Sequence, residues 1–162
     1  MQQALVKVQP INLVGLSVRT NNKNEMDPRT AKIGGLVAEY FQNNIQDKIP
    51  HRKKAGVTLM GYGEYDSDEH GDYTYYIGEE VNNVEKIPSE FDSIVIPAGN
   101  YQKFTTPPGK IPDVVIQAWQ KIWTLDSQQL GGKRKYAVDF QVHDERALDL
   151  QHAIVDIYIG IR

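Results

Sequence analysis

The chain has 162 residues, 40% of them hydrophobic and 24% charged, which is enough for one folded domain with a sizeable core. A net charge of −3, with no basic run longer than three residues, argues against a nucleic-acid-binding protein. The absence of cysteine excludes disulfides, thiolate metal sites and a cysteine nucleophile. Because no apolar run is long enough for a signal peptide or a membrane span, we expect a cytoplasmic protein without membrane contact.

The first half of the chain predicts the order strand, helix, strand, strand. Residues 11–20 have the alternation of a strand, and residues 31–43 carry apolar side chains at helical spacing behind a cap at Asp27 or Thr30. Two further strands, 57–62 and 72–78, flank an acidic loop and are expected to form a hairpin. Since side chains alternate along a strand, Tyr73 and Tyr75 share one face of the last strand.

The second half repeats this order. Strands are predicted at residues 91–97 and 101–105, a helix at 111–125, and two strands at 135–143 and 153–161. Two such units predict an α+β domain built from two βαββ repeats, about 8–81 and 90–162, related by a pseudo-twofold axis. The sheets are expected to be mainly antiparallel and to leave a ligand cleft where the repeats meet.

The predicted strand 135–143 is the most informative stretch of the chain. Its alternation places Val138, Phe140 and Val142 on one face, and the polar side chains on the other face are Asp139, Gln141 and His143. Such a polar row fits either a solvated sheet face or the floor of a ligand pocket. The strand by itself leaves both interpretations open.

Patterns of catalysis and metal binding are absent from the sequence. The histidines His51, His70, His143 and His152 have no metal-ligand spacing, and the acidic residues around His70 lack the order of a calcium loop. No phosphate-binding glycine loop or nucleophile elbow is present, and no serine has a local base. We therefore expect a protein that is not an enzyme and uses no metal or cofactor.

A set of aromatic and polar residues on the predicted strands and the second helix is able to share one cleft. Aromatic rings supply contact area and negative π faces, and a carboxylate supplies a countercharge, so that this combination favours a lipophilic cation. Core packing is the alternative interpretation of Trp119 and Tyr158. The candidates are Tyr73, Tyr75, Trp119, Asp139, Gln141, His143 and Tyr158.

Five segments carry a family resemblance, and the turn Pro97-Ala98-Gly99-Asn100-Tyr101 and the run Ile157-Tyr158-Ile159 are the most specific parts of them. The segments are 73–78, 94–104, 118–123, 139–144 and 156–161. In this order they resemble the GyrI-like small-molecule-binding domains, also known as effector-binding domains of AraC-type transcription regulators. The resemblance implies two βαββ repeats and an aromatic cleft with a buried glutamate that binds drug-like lipophilic cations. Since only ten residues precede residue 11, we expect the standalone form without a DNA-binding module.

The chain departs from this family pattern at the glutamate. The family has glutamate and then tyrosine where this sequence has Gln141 and His143. An amide offers no full countercharge. Asp139, on the same strand face, and Glu64, in the first hairpin, are the candidates to replace it; the other possibility is a preference for neutral ligands.

The resemblance and the residues together predict a module that binds an aromatic, lipophilic and optionally cationic small molecule. The alternative is a protein partner, because some standalone members of the family are linked to inhibition of DNA gyrase. A hydrolase on the same cleft is the third hypothesis, since a few relatives cleave small ligands. None of these hypotheses includes direct binding of nucleic acid.

Overall fold

Eight strands form one antiparallel sheet in the computed structural model, which describes residues 1–162. The strands are β1 Gln2–Val8, β2 Ile11–Asn21, β3 Thr58–Gly63, β4 Asp72–Val81, β5 Asp92–Ile96, β6 Gly99–Thr105, β7 Val138–His143 and β8 Asp156–Ile161. The helices are α1 Asn22–Glu25, α2 Ile33–Gln42, α3 Asp113–Trp123 and α4 Ser127–Leu130, with 3₁₀ turns at Ile45–Lys48 and Glu145–Ala147. None of the helices has the length and apolar character required to cross a membrane.

The strand order is symmetric about the central pair β3 and β7. The order is β1-β6-β8-β7-β3-β4-β2-β5. Strands at equal distances from the central pair correspond to one another in the two halves of the chain: β3 to β7, β4 to β8, β2 to β6 and β1 to β5. In the central ladder Met60 lies opposite Gln141 and Gly61 lies opposite Phe140. The predicted α+β class, with two pseudo-twofold-related βαββ units, is confirmed.

Strand β1 was not predicted. It pairs along its whole length with β6, from Gln2 opposite Thr105 to Val8 opposite Gly99. None of its side chains is buried, so that it lacks the alternation by which a half-buried strand is recognised. This strand lies before the start at about residue 8 that the sequence predicts for the first repeat.

The sheet curves so that the side chains of one of its faces are enclosed. Strands β1 and β2 are consecutive, as are β5 and β6, and the ladder β1–β6 leads directly into the ladder β2–β5. Both ends of the strand order are thereby joined. The face turned inward, here named the closed face, carries a core of Leu13, Leu59, Tyr76, Ile96, Tyr101, Val138 and Phe140.

The two long helices cover the opposite face, here named the helix face. Helix α2 packs through Tyr40 onto a cluster that includes Tyr73 and Ile77, whereas α3 packs through Trp119 and Ile122 onto residues of β8. Both helices were predicted, with starts two residues too early. Each repeat contributes one helix, and the centre of the sheet lies between them.

The predicted cap of α2 is wrong. Neither Asp27 nor Thr30 caps this helix; the carboxylate of Glu25 accepts the backbone N–H groups of Lys32 and Ile33 at 2.9 and 3.0 Å. A carboxylate at a helix N-terminus satisfies free N–H groups and complements the helix dipole. Glu25 reaches these groups because α1 folds the chain back after β2.

Two glycines allow close contact between β2 and β4. Gly15 lies opposite Gly78, and a Cβ on either residue would lie 1.9 Å from a carbonyl oxygen of the other strand. We predict that Gly15→Ala or Gly78→Ala lowers the free energy of unfolding by about 3 kcal/mol, because the backbones must separate. Urea denaturation measures this change.

The control for this prediction is Gly35 on α2, where a Cβ meets no atom within 4 Å. Gly35→Ala is expected to raise stability by up to about 1 kcal/mol, because alanine is the better helix former. Equal stabilities of the Gly15 and Gly35 variants would contradict the close-contact explanation.

Candidate functional site

A cavity of about 780 Å³ lies on the helix face between α2 and α3. One wall comes from α1, α2 and the segment between them, and the opposite wall comes from α3 and the residues just before it. The floor consists of side chains from the central strands β3, β4 and β7. The cavity therefore lies on the seam between the two repeats, as the sequence predicted for the cleft.

Aromatic side chains dominate the floor and extend onto the α3 wall through Trp119 and Trp123. Tyr62 lies at their centre, with ring centroids 4.9 Å from Trp119, 5.3 Å from Tyr75 and 5.6 Å from Tyr73. Tyr65 continues the row at 5.9 Å from Tyr73. Tyr73 and Tyr75 enter together, as the alternation of β4 predicted. Such a row of rings suits a flat or aromatic ligand.

Of the eight residues proposed from the sequence, those that line the cavity are Tyr73, Tyr75, Trp119, Gln141 and His143. Gln141 is only 3% exposed, so that the polar row of β7 is not a solvated sheet face. Its amide Nε2 donates to the Tyr62 hydroxyl at 2.5 Å, and its Oε1 lies 3.1 Å from Nε2 of His143. These three side chains form one chain of hydrogen bonds across the floor.

Asp139 lies behind the cavity wall. It is fully buried, and its Oδ2 accepts from Arg134 at 2.6 Å and from the Tyr65 hydroxyl at 2.7 Å. Its Oδ1 accepts the backbone N–H of Gly160 at 2.8 Å. Arg134 and Tyr65 themselves line the cavity and cover the carboxylate. Asp139 thus holds the wall in place and presents no free countercharge to a ligand.

The expectation that Tyr158 and Glu64 share the cleft is wrong. Tyr158 lies on the closed face, where its ring stacks on Phe140 at 4.4 Å. Glu64 is exposed and accepts a hydrogen bond from Tyr76, another residue of the closed face. The alternation of β8 turns Tyr158 away from the helices, whereas Glu64 lies beyond the end of β3, where a left-handed backbone (φ 50°) interrupts the alternation.

The charged groups of the cavity wall are Glu25, Glu69 and Arg134, none of which was proposed from the sequence. Glu25 accepts from the Thr20 hydroxyl at 2.6 Å in addition to its two backbone donors. Burial works against the charge of Glu69, but hydrogen bonds from the Tyr136 hydroxyl and the backbone outweigh it and lower the pKa of this carboxylate. Both glutamates belong to polar stretches that sequence patterns identify only as loops.

Burial governs the protonation of His143. It lowers the pKa of this ring from 6.5 to about 4, so that His143 is neutral near pH 7. The unfolded chain therefore binds a proton between pH 6.5 and about 4 that the folded chain does not bind. The contribution of neutral His143 to the free energy of unfolding is therefore complete above pH 6.5. It is lost as the pH falls from 6.5 to about 4.

We predict that the free energy of unfolding falls more steeply between pH 6.5 and 4 in the wild type than in His143→Gln. Denaturant unfolding at a series of pH values measures both slopes. His152→Gln is the matched control, because the His152 side chain is 76% exposed. Identical slopes for the wild type and His143→Gln would contradict the prediction, because they would show that His143 has the same pKa in the folded and the unfolded chain.

Comparisons with known proteins place this geometry in a family. The family of integron-associated effector binding proteins matches residues 4–161. A protein of Bacillus subtilis (strain 168), named "Putative transcriptional regulator protein YobU", is 30% identical over 148 residues, which are 91% of this chain and 90% of that protein.

Solved structures show the same fold. An integron cassette protein from the mobile metagenome of Vibrio cholerae superposes with a TM-score of 0.75 at 27% identity, over 99% of this chain and 95% of that one. The structure of SAV2435 bound to tetraphenylphosphonium superposes with a TM-score of 0.76 at 20% identity, over 100% and 94%. The predicted resemblance to GyrI-like effector-binding domains is confirmed. The chain belongs to the family of integron-associated effector binding proteins.

Proposed function

We propose that this domain binds an aromatic, lipophilic small molecule, cations included, in the cavity between α2 and α3. The observation that carries the proposal is the row of tyrosine and tryptophan rings around a space of about 780 Å³. Drug-sized ligands occupy sites of about 300–1,000 Å³ lined by apolar and aromatic side chains. The seam between the repeats supplies both the volume and the rings.

The charges of the wall support cationic ligands. Glu25 and Glu69 are negative, and Arg134 is the single cation among the lining residues. Asp139 neutralises Arg134 at 2.6 Å from behind. The cavity therefore has an excess of negative charge, and its ring faces attract cations in addition.

Two relatives agree with this proposal. SAV2435 was solved with tetraphenylphosphonium, a lipophilic aromatic cation. The name of the Bacillus subtilis relative associates it with transcriptional regulation. We propose that ligand binding by the present domain serves a regulatory role of the same kind.

The proposal is one of binding without catalysis. The carboxylates of Glu25 and Asp139 each accept three hydrogen bonds from protein groups. The carboxylate of Glu69 accepts from Tyr136. A general base or nucleophile requires a carboxylate or imidazole that is free to reach the substrate, and these groups are engaged with the protein.

We predict that tetraphenylphosphonium quenches the fluorescence of Trp119 and Trp123, which line the cavity, and raises the melting temperature by mass action. Tyr75→Leu is expected to weaken this binding about five- to tenfold through the loss of a ring face. Tyr158→Leu is the control, since this ring lies on the closed face. Absence of binding by tetraphenylphosphonium and by a panel of aromatic dyes would refute the proposal.

We further predict that Gln141→Glu raises the affinity for tetraphenylphosphonium about tenfold, because it places a carboxylate on the cavity floor. Titrations of both proteins at two salt concentrations measure the effect. Gln128→Glu changes the net charge equally at an exposed position on α4 and is expected to leave the affinity unchanged. If both variants bind alike, the carboxylate at 141 does not act on the ligand.

A further inference from the structure

We infer that the ligand of this cavity carries an uncharged acceptor oxygen of the carbonyl type, bound by the hydroxyl of Tyr62 and the indole N–H of Trp119. The inference rests on the proposed function, because it assumes that an aromatic molecule occupies the cavity. It adds the polar group by which the site selects among such molecules.

The first step is the direction of the hydrogen bonds on the floor. The Oε1 of Gln141 faces Nε2 of His143 at 3.1 Å, and an amide oxygen only accepts, so that the ring must donate from Nε2. On its other side Gln141 donates from its amide nitrogen to the hydroxyl oxygen of Tyr62 at 2.5 Å. His143 thus donates to Gln141, and Gln141 donates to Tyr62.

The second step is the hydrogen at the end of this chain. The Tyr62 oxygen accepts from Gln141, and the hydroxyl donates to no protein group, so that its own O–H is left without an acceptor. Burial raises the pKa of Tyr62 well above 10, which keeps the hydroxyl protonated. Tyr62 therefore faces the cavity as a hydrogen-bond donor.

The third step is a second donor beside the first. Trp119 is 8% exposed, and its indole N–H, which lies beside the Tyr62 hydroxyl, makes no well-formed hydrogen bond. Its ring centroid lies 4.9 Å from that of Tyr62, and both residues line the cavity. A buried donor without a partner is unfavourable, so that a ligand that offers an acceptor here binds more tightly than one that does not.

Two acceptors of the wall, by contrast, already take donors from the protein. The carboxylate of Glu25 takes three protein donors, and Oδ1 of Asn22 takes the Tyr73 hydroxyl. A full anion is disfavoured by Glu25 and Glu69 in the same wall. The group that fits is an uncharged oxygen, as in an aromatic ketone, ester or amide.

Benzophenone and diphenylmethane test the inference, because they differ only in a carbonyl in place of a methylene. In the wild type we expect benzophenone to bind about tenfold more tightly, since a site built to hydrogen-bond a group discriminates against the analogue that lacks it. Tyr62→Phe and Trp119→Phe keep the rings and remove the donors, and each is expected to reduce this ratio. Equal affinities of the two compounds for the wild type, or an unchanged ratio in both variants, would overturn the inference.

Tyr65→Phe is the matched control. It also removes a hydroxyl from the cavity wall, but that hydroxyl already donates to Asp139. The ratio of the two affinities is expected to stay at the wild-type value in this variant. A ratio that falls as far in Tyr65→Phe as in Tyr62→Phe would contradict the assignment of the donor.

The tautomer of His143 gives a readout that needs no ligand. Nitrogen-15 NMR of the labelled protein distinguishes a ring protonated at Nε2, which is expected, from one protonated at Nδ1. The Nδ1 tautomer would mean that the amide of Gln141 is reversed and that Tyr62 donates to it, which overturns the inference. Tetraphenylphosphonium separates the two proposals: if it binds while benzophenone shows no advantage, the proposed function stands and only this inference fails.

Discussion

The cavity depends on one buried carboxylate. Asp139 joins three separate parts of the chain, because it bonds the backbone of Gly160 in β8, Arg134 ahead of β7 and Tyr65 in the loop after β3. A buried charge is tolerated only where such partners surround it, and removal of one partner leaves the others unsatisfied. The same contacts hold Arg134 and Tyr65 as cavity wall. The hydrogen bonds of Asp139 therefore stabilise both the fold and the cavity wall.

The two-repeat architecture explains where the cavity lies. Each repeat covers its own half of the helix face with one helix, and the central ladder β3–β7 between them carries the floor. The closed face is filled by its own apolar core, so that its residues are unavailable to the site. Neighbouring side chains of β7 thus lie on opposite faces of the sheet: Phe140 packs in the core of the closed face, and Gln141 lines the cavity.

The direction of the hydrogen bonds on the cavity floor follows from the burial of His143. A histidine whose pKa is lowered to about 4 is neutral, and a neutral ring that faces an amide oxygen donates to it. The chain of bonds from His143 through Gln141 to Tyr62 then has one direction. Where the family resemblance implies a glutamate, this chain has Gln141, whose amide nitrogen donates to Tyr62.

The alternation of β4 and β7 and the helical spacing of α3 selected Tyr73, Tyr75, Trp119, Gln141 and His143, because periodicity decides which side chains share a face. The same alternation also selected Asp139, whose carboxylate lies behind the cavity wall. The class of the fold followed from the repeated order of elements. Only the tertiary structure decided which face of β8 meets the helices, which excluded Tyr158, and which loop residues return to the cavity, which added Glu25, Glu69 and Arg134. Local patterns carry no information about such contacts, since they arise from the closure of the sheet and from the pairing of buried charges across distant segments.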